Sequence, residues 1–166
     1  AVMTSRRAFA DLSGGQVHRA VWGDADAPAV LLLHQSPRSW AEYREVLPLI
    51  AGAGYRVIAM DTAGFGDSAD GGVPASIAQW ARVACELLDA LGIAQADVVG
   101  HHTGGVIAIE LAAAFPQRVR SLVLSSTPYT DEVFRRARAQ RPPIDEVAPS
   151  DDGSHLAALW QKRQAF

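Results

Sequence analysis

A short strand-like stretch, Ala96–Val99, runs without a linker into Gly100-His101-His102-Thr103-Gly104-Gly105, and an apolar helical stretch follows from Val106 to Phe115. No other segment constrains the fold as tightly. The chain must leave an extended conformation and enter a helix within a few residues. Such a turn presses the strand backbone against the first helical turn. Side chains at Gly100 and Gly104 would collide there, so glycine is required. The residue at the tip, His102, is the one such a turn displays.

The surrounding pattern says what kind of sheet carries this elbow. Gln16–Trp22 alternates well enough for an antiparallel strand, entered through Ser13-Gly14-Gly15. Ala29–Leu33 is a continuous apolar run, the mark of a strand buried on both faces. Trp40–Ala53 carries Trp40, Tyr43, Val46, Leu47 and Ile50 at helical spacing and ends at Gly52 and Gly54. Tyr55–Met60 reads as the next strand and Asp61–Pro74 as a glycine-rich loop. Ser76 is placed to cap a helix with its stripe at Ile77, Trp80, Ala84, Leu87, Leu88 and Leu91, closed by Gly92. Val119–Ser125 is another strand, and Pro116 stops the helix before it. Beyond it come a helical Asp131–Arg141, a Pro142-Pro143 break, a polar linker and a helical His155–Ala165.

Alternation of apolar strands with helices implies an α/β fold: a mostly parallel, doubly wound sheet with helices on both faces. Ligands bind such sheets at the carboxyl ends of the strands. The loops after Leu33, Met60, Val99 and Ser125 are therefore where chemistry is expected. The predicted division is 1–130 for the core and 131–166 for a separate helical part.

Composition narrows the partners. The net charge is −3 and 20% of residues are charged, which gives no nucleic-acid or membrane surface. The basic group Arg135, Arg136, Arg138 and Arg141 reads as a solvated helix face. The single cysteine, Cys85, sits among Val83, Leu87 and Leu88 and reads as core. One thiol forms no intrachain disulfide, so a reducing, cytoplasmic setting is expected. No apolar run approaches a membrane span.

Three motifs now stand in order. His34-Gln35-Ser36-Pro37 follows one strand, Asp61-Thr62-Ala63-Gly64-Phe65-Gly66-Asp67-Ser68 the next, and Gly100–Gly105 the next. Together they resemble the α/β-hydrolase fold superfamily, in its capped type that includes esterases, epoxide hydrolases, haloalkane dehalogenases and carbon–carbon bond hydrolases. The resemblance covers about residues 10 to 130. It implies that this stretch is the N-terminal part of the hydrolase core, incomplete at its C-terminal side, and that the tail begins a helical cap or lid.

Carried over by position, His102 takes the nucleophile site, and the backbone N–H groups of Thr103 and Ser36 take the oxyanion-donor sites. Gln35 stands where the family has a small glycine. It either crowds the site or donates a side-chain hydrogen bond. His34 is expected to order its loop by hydrogen bonding. Asp61 and Gly64–Ser68 are expected to shape theirs. His101, adjacent to the tip, is expected to pack beneath the turn, and His18 and His155 are expected at the surface or in packing roles. No metal and no cofactor is expected, because no Asp, Glu or Cys completes a ligand set around the histidines.

Imidazole can act as nucleophile, through an acyl-imidazole, or as general base on water. At a helix N-terminus the dipole disfavours a cation, so the neutral ring is the expected form. The resemblance implies hydrolysis of a small ester, thioester, lactone or related substrate. The alternative is an inactive or ligand-binding relative that lacks the serine nucleophile, since imidazole reaches further into the pocket than a hydroxymethyl group. The family's acid and second histidine lie in later segments, and Asp131 is the candidate acid here. Ser121–Leu124 would be an open sheet edge. Completion by a C-terminal half, a second chain or a homodimer is therefore expected.

Overall fold

The computed structural model describes residues 6–70, 76–140 and 147–164, the side chains of 163 and 164 excepted. Arg141, Pro142, Pro143, Ala165 and the end of the glycine-rich loop at Pro74 lie outside the described residues. Two compact units are present, Ala1–Pro128 and Tyr129–Phe166.

The first unit is built on a six-stranded mixed sheet. Its strands are β1 (Arg6–Leu12), β2 (Gly15–Trp22), β3 (Ala29–Leu33), β4 (Arg56–Met60), β5 (Ala96–His101) and β6 (Val119–Ser125). Their order across the sheet is β1-β2-β4-β3-β5-β6. The pairs β4–β3, β3–β5 and β5–β6 are parallel, whereas β1–β2 and β2–β4 are antiparallel. No sequence pattern announces β1. Arg6–Leu12 has weak alternation of its own and becomes a strand because β2 offers it a full register, from Arg6↔Val21 to Leu12↔Gly15.

β3 lies in the middle of the sheet and all five of its residues are buried. Alternate side chains divide between two cores. Leu31, Leu33, Ile58 and Val98 face α2 (Ile77–Ala90) and α3 (Thr103–Ala114), meeting Leu87, Leu88, Ile107 and Leu111. Val30, Leu32, Val57 and Ala59 face Trp40, Tyr43 and Leu47 on the other side. This two-sided burial explains the unbroken apolar run in β3. Cys85 is buried in the first core. Burial pushes its thiol pKa up, against the opposing pull of Arg118.

Two helical boundaries differ from expectation. Trp40–Ala53 is not one helix: a 3₁₀ turn, Trp40–Tyr43, precedes a separate α1 (Leu47–Gly52). Pro48 sits at the start of α1, where a missing N–H costs nothing, so the chain restarts there. The helix after the elbow begins at Thr103, not Val106. Ser76 caps α2 through a reciprocal capping box with Gln79.

β6 forms one edge of the sheet. Leu122, Val123 and Leu124 are exposed on it. Its near end is tied to β5 by Arg120, whose Nε donates to Asp97 at 3.0 Å, and by Ser121 at 2.6 Å. The Arg120 bond holds the Asp97 carboxyl below its usual range, burial opposes this, and Ser121 adds to it. The depressed value means that this contribution is complete above the ordinary carboxyl range and is lost as pH falls through the folded-state value. Asp97→Asn is therefore expected to cost about 0.5–1 kcal/mol at neutral pH, discounted for exposure. Urea denaturation should show the gap between variant and parent closing below about pH 4.

In the second unit, α4 (Glu132–Ala139) and α5 (Ser154–Gln164) are the helices. Phe134, Leu156 and Trp160 are exposed. Among the described residues, no helix is long and apolar enough to cross a membrane.

Candidate active site

The strands β3, β4 and β5 end side by side, and the loops that follow them hold the three motifs. His102 forms the tip between β5 and α3. Its backbone has φ 50° and ψ −112°, a conformation that side-chain-bearing residues rarely adopt. Its N–H donates to Ser125 O at 2.9 Å, and its carbonyl accepts from Gly105 N–H at 3.0 Å. These bonds fix the strained turn. The imidazole is exposed, with Nδ1 3.5 Å from Thr103 Oγ1. Thr103 is the first residue of α3, so its N–H has no intrahelical acceptor.

The glycines are explained by what surrounds them. A Cβ on Gly100 would lie 2.3 Å from Gly104 O, and one on Gly104 would lie 1.9 Å from Leu33 O. One on Gly105 would meet Thr127 Oγ1 at 1.8 Å. The elbow is thus pressed against the end of β3 and the segment after β6 at once.

His34 is buried where β3 ends. Its Nε2 accepts from Thr62 N–H at 3.0 Å, so Nδ1 carries the proton and donates to Gln35 O at 2.8 Å. The ring pins the His34–Pro37 loop to the start of the next loop. Gln35 and Ser36 are half-buried.

Tyr43 supplies a contact that the sequence reading missed, since it figured there only as part of an apolar stripe. Its hydroxyl donates to Leu33 O at 2.8 Å from a buried position. Burial pushes the phenol pKa up, the Glu42 charge adds to this, and the His101 backbone pulls the other way. The phenol therefore stays protonated as a donor. His101 itself is half-buried, with Nδ1 paired to Ser125 Oγ at 3.1 Å.

Asp61 organises the third loop. Its Oδ1 accepts from Trp40 N–H at 2.6 Å, and its Oδ2 accepts from Asp67 N–H at 3.0 Å and from His18 Nδ1 at 2.9 Å. A Cβ on Gly66 would lie 2.2 Å from this carboxylate, so glycine is needed there too. His18 is 1% exposed, the packed one of the two placements expected for it. Asp131 belongs to the second unit. Its Oδ1 accepts from Phe134 N–H at 2.7 Å and caps α4. His155 is bonded locally, accepting from Ser150 N–H at 3.1 Å.

Comparison with known proteins fits this geometry. Residues 28–161 match the family described as alpha/beta hydrolase fold. Epoxide hydrolase B of Mycobacterium tuberculosis is 39% identical over 136 residues, 81% of this chain and 38% of that protein. Bifunctional epoxide hydrolase 2 of Mus musculus is 36% identical over 127 residues, 74% of this chain and 20% of that protein. Among solved structures, an epoxide hydrolase from an endophytic Streptomyces aligns with TM-score 0.69 and 35% identity, over 76% of this chain and 38% of that one. An N-acyl homoserine lactonase aligns with TM-score 0.69 and 31% identity, over 75% and 46%. The chain thus spans about a fifth to two fifths of the curated relatives it matches. The elbow, the sheet order and the match over most of the chain agree: this protein belongs to the α/β-hydrolase fold family.

Proposed function

We propose that the chain carries the nucleophile-bearing part of a small-molecule hydrolase, with His102 as nucleophile or general base. One observation supports this above the others. The tip of the elbow holds an exposed imidazole in a backbone conformation that costs free energy to maintain, at the N-terminus of a helix. The N–H groups of Thr103 and Ser36 are the oxyanion donors in this reading, and His34 holds the Ser36 loop in place. Attack by the imidazole on a carbonyl carbon forms a tetrahedral oxyanion. The alkoxide or thiolate departs with the ring proton as the alcohol or thiol and leaves an acyl-imidazole, which water hydrolyses to the acid and free imidazole. In the general-base route the imidazole removes a proton from the attacking water.

The related epoxide hydrolases and lactonase point to strained or cyclic electrophiles, epoxides and lactones, beside simple esters and thioesters; an epoxide is opened by the general-base route, since its attack by imidazole would leave a stable alkyl-imidazole. The test is turnover of p-nitrophenyl acetate, a small lactone and styrene oxide by the parent and by His102→Ala. Loss of turnover in the variant supports the reading. Saturable binding of the same compounds without turnover, or hydrolysis that appears only in His102→Ser, would establish the alternative, a ligand-binding relative whose nucleophile is vacated.

The exposed Leu122, Val123 and Leu124 on β6 support a further part of this reading. The edge is covered by additional structure from a C-terminal half, a second chain or a second copy, and the second unit contributes to a cap. Light scattering of this chain alone is expected to show association above the 17.7 kDa monomer. A monodisperse monomer with a cooperative melt would remove the need for such cover.

A further inference from the structure

Away from the elbow, the outer strand is fastened by a buried histidine. His18 lies on β2 with its side chain 2% exposed. Arg7, on β1, donates from Nε to His18 Nε2 at 3.0 Å. An Arg N–H has no acceptor capacity, so His18 Nε2 must be bare and Nδ1 must carry the proton given to Asp61. The bond network therefore specifies a neutral ring in a single tautomer. Arg7 also pairs with Asp67 of the third loop and lies 5.3 Å from the Trp40 ring centroid.

We propose that Arg7 and His18 form a proton-operated latch between β1 and the Asp61–Ser68 loop. A proton added at His18 Nε2 removes the acceptor that Arg7 Nε–H has among the described residues and sets two cations 3.0 Å apart. Arg7 must then leave the ring. It keeps the exposed Asp67 partner but loses the buried anchor, and the N-terminal half of β1 loosens.

The groups around the ring decide how the latch is balanced. Asp61, from the end of β4, favours the protonated ring, whereas Arg7, from β1, opposes it. Asp67 acts through Arg7. Phe9 meets the ring edge-on at 5.2 Å and Trp40 stands at 6.3 Å, and neither is charged. Arg44 reaches the Trp40 ring at 5.4 Å and adds positive charge nearby. His18, Asp61 and Asp67 also present metal-type ligand atoms within 4.8 Å of one another. The guanidinium already supplies the cation there, which is why the cluster reads as a latch and not as a metal site.

The test uses the ¹⁵N-labelled chain and no substrate, so it stands apart from the hydrolase reading. Long-range imidazole spectra at neutral pH should show His18 with a proton on Nδ1 and none on Nε2. On acidification, the Ala8 and Ala10 amide signals should move with the same midpoint as His18. In Arg7→Met the His18 midpoint should rise by at least about half a pH unit, because the opposing cation is gone. Titration in the variant alone, with the parent ring neutral down to acid unfolding, would mean that no proton opens the contact in the folded parent, and would also overturn the latch. An Nε2–H tautomer at neutral pH overturns the latch. So do equal midpoints in the two chains, or no titration in either. If Arg7→Met does not fold, the tautomer and the shared midpoint in the parent decide the matter.

Discussion

Gly104→Ala is expected to destabilise the first unit by about 3 kcal/mol, a large fraction of a typical domain's stability. The added Cβ would lie 1.9 Å from Leu33 O, 2.4 Å from Leu33 C and 2.8 Å from His34 O. All three are backbone atoms, so no rotamer change relieves the clash. Either α3 lifts from the sheet or the end of β3 shifts, and the second carries His34 and Gln35 away from their present bonds. Gly52→Ala is the matched control. Its Cβ meets nothing within 4 Å and its φ is ordinary, so little or no loss is expected. Urea midpoints of the two variants, measured beside the parent, check the pair. Equal midpoints would mean that the elbow is not packed as tightly as described.

His102→Ala is expected to lower kcat/KM on any ester, lactone or epoxide the parent turns over by about 10³-fold or more. In the proposed mechanism, loss of the imidazole removes nucleophile and base together, whereas the backbone N–H groups of Thr103 and Ser36, its proposed oxyanion donors, remain. A second variant separates chemistry from structure. His102→Gly removes the same group but suits φ 50°, so it should lose activity while gaining about 1 kcal/mol of stability. Activity and stability moving in opposite directions is the signature of strain kept for function. Unchanged turnover in both variants would place the chemistry elsewhere.

Much of this was legible in the sequence because it depends on short-range pattern. The unbroken Ala29–Leu33 run, the Ser76 cap and the glycines around His102 each act within a few residues. Each therefore specifies strand, helix start or elbow without reference to distant parts of the chain. The position of His102 at the tip follows from that local pattern alone.

Other features arise only when distant segments meet. β1 exists because β2 offers a register, which no periodicity within Arg6–Leu12 announces. Tyr43 reads as one more apolar position until its hydroxyl is seen to donate to Leu33 O, ten residues earlier. His18 has no visible partner in the sequence. Asp61 lies 43 residues away and Arg7 lies on a strand of its own. The sequence by itself determined the family of the fold and the residue displayed at its elbow. The tertiary structure decided which buried polar groups satisfy one another, because hydrogen-bond partners are chosen by distance in space and leave no periodic trace along the chain.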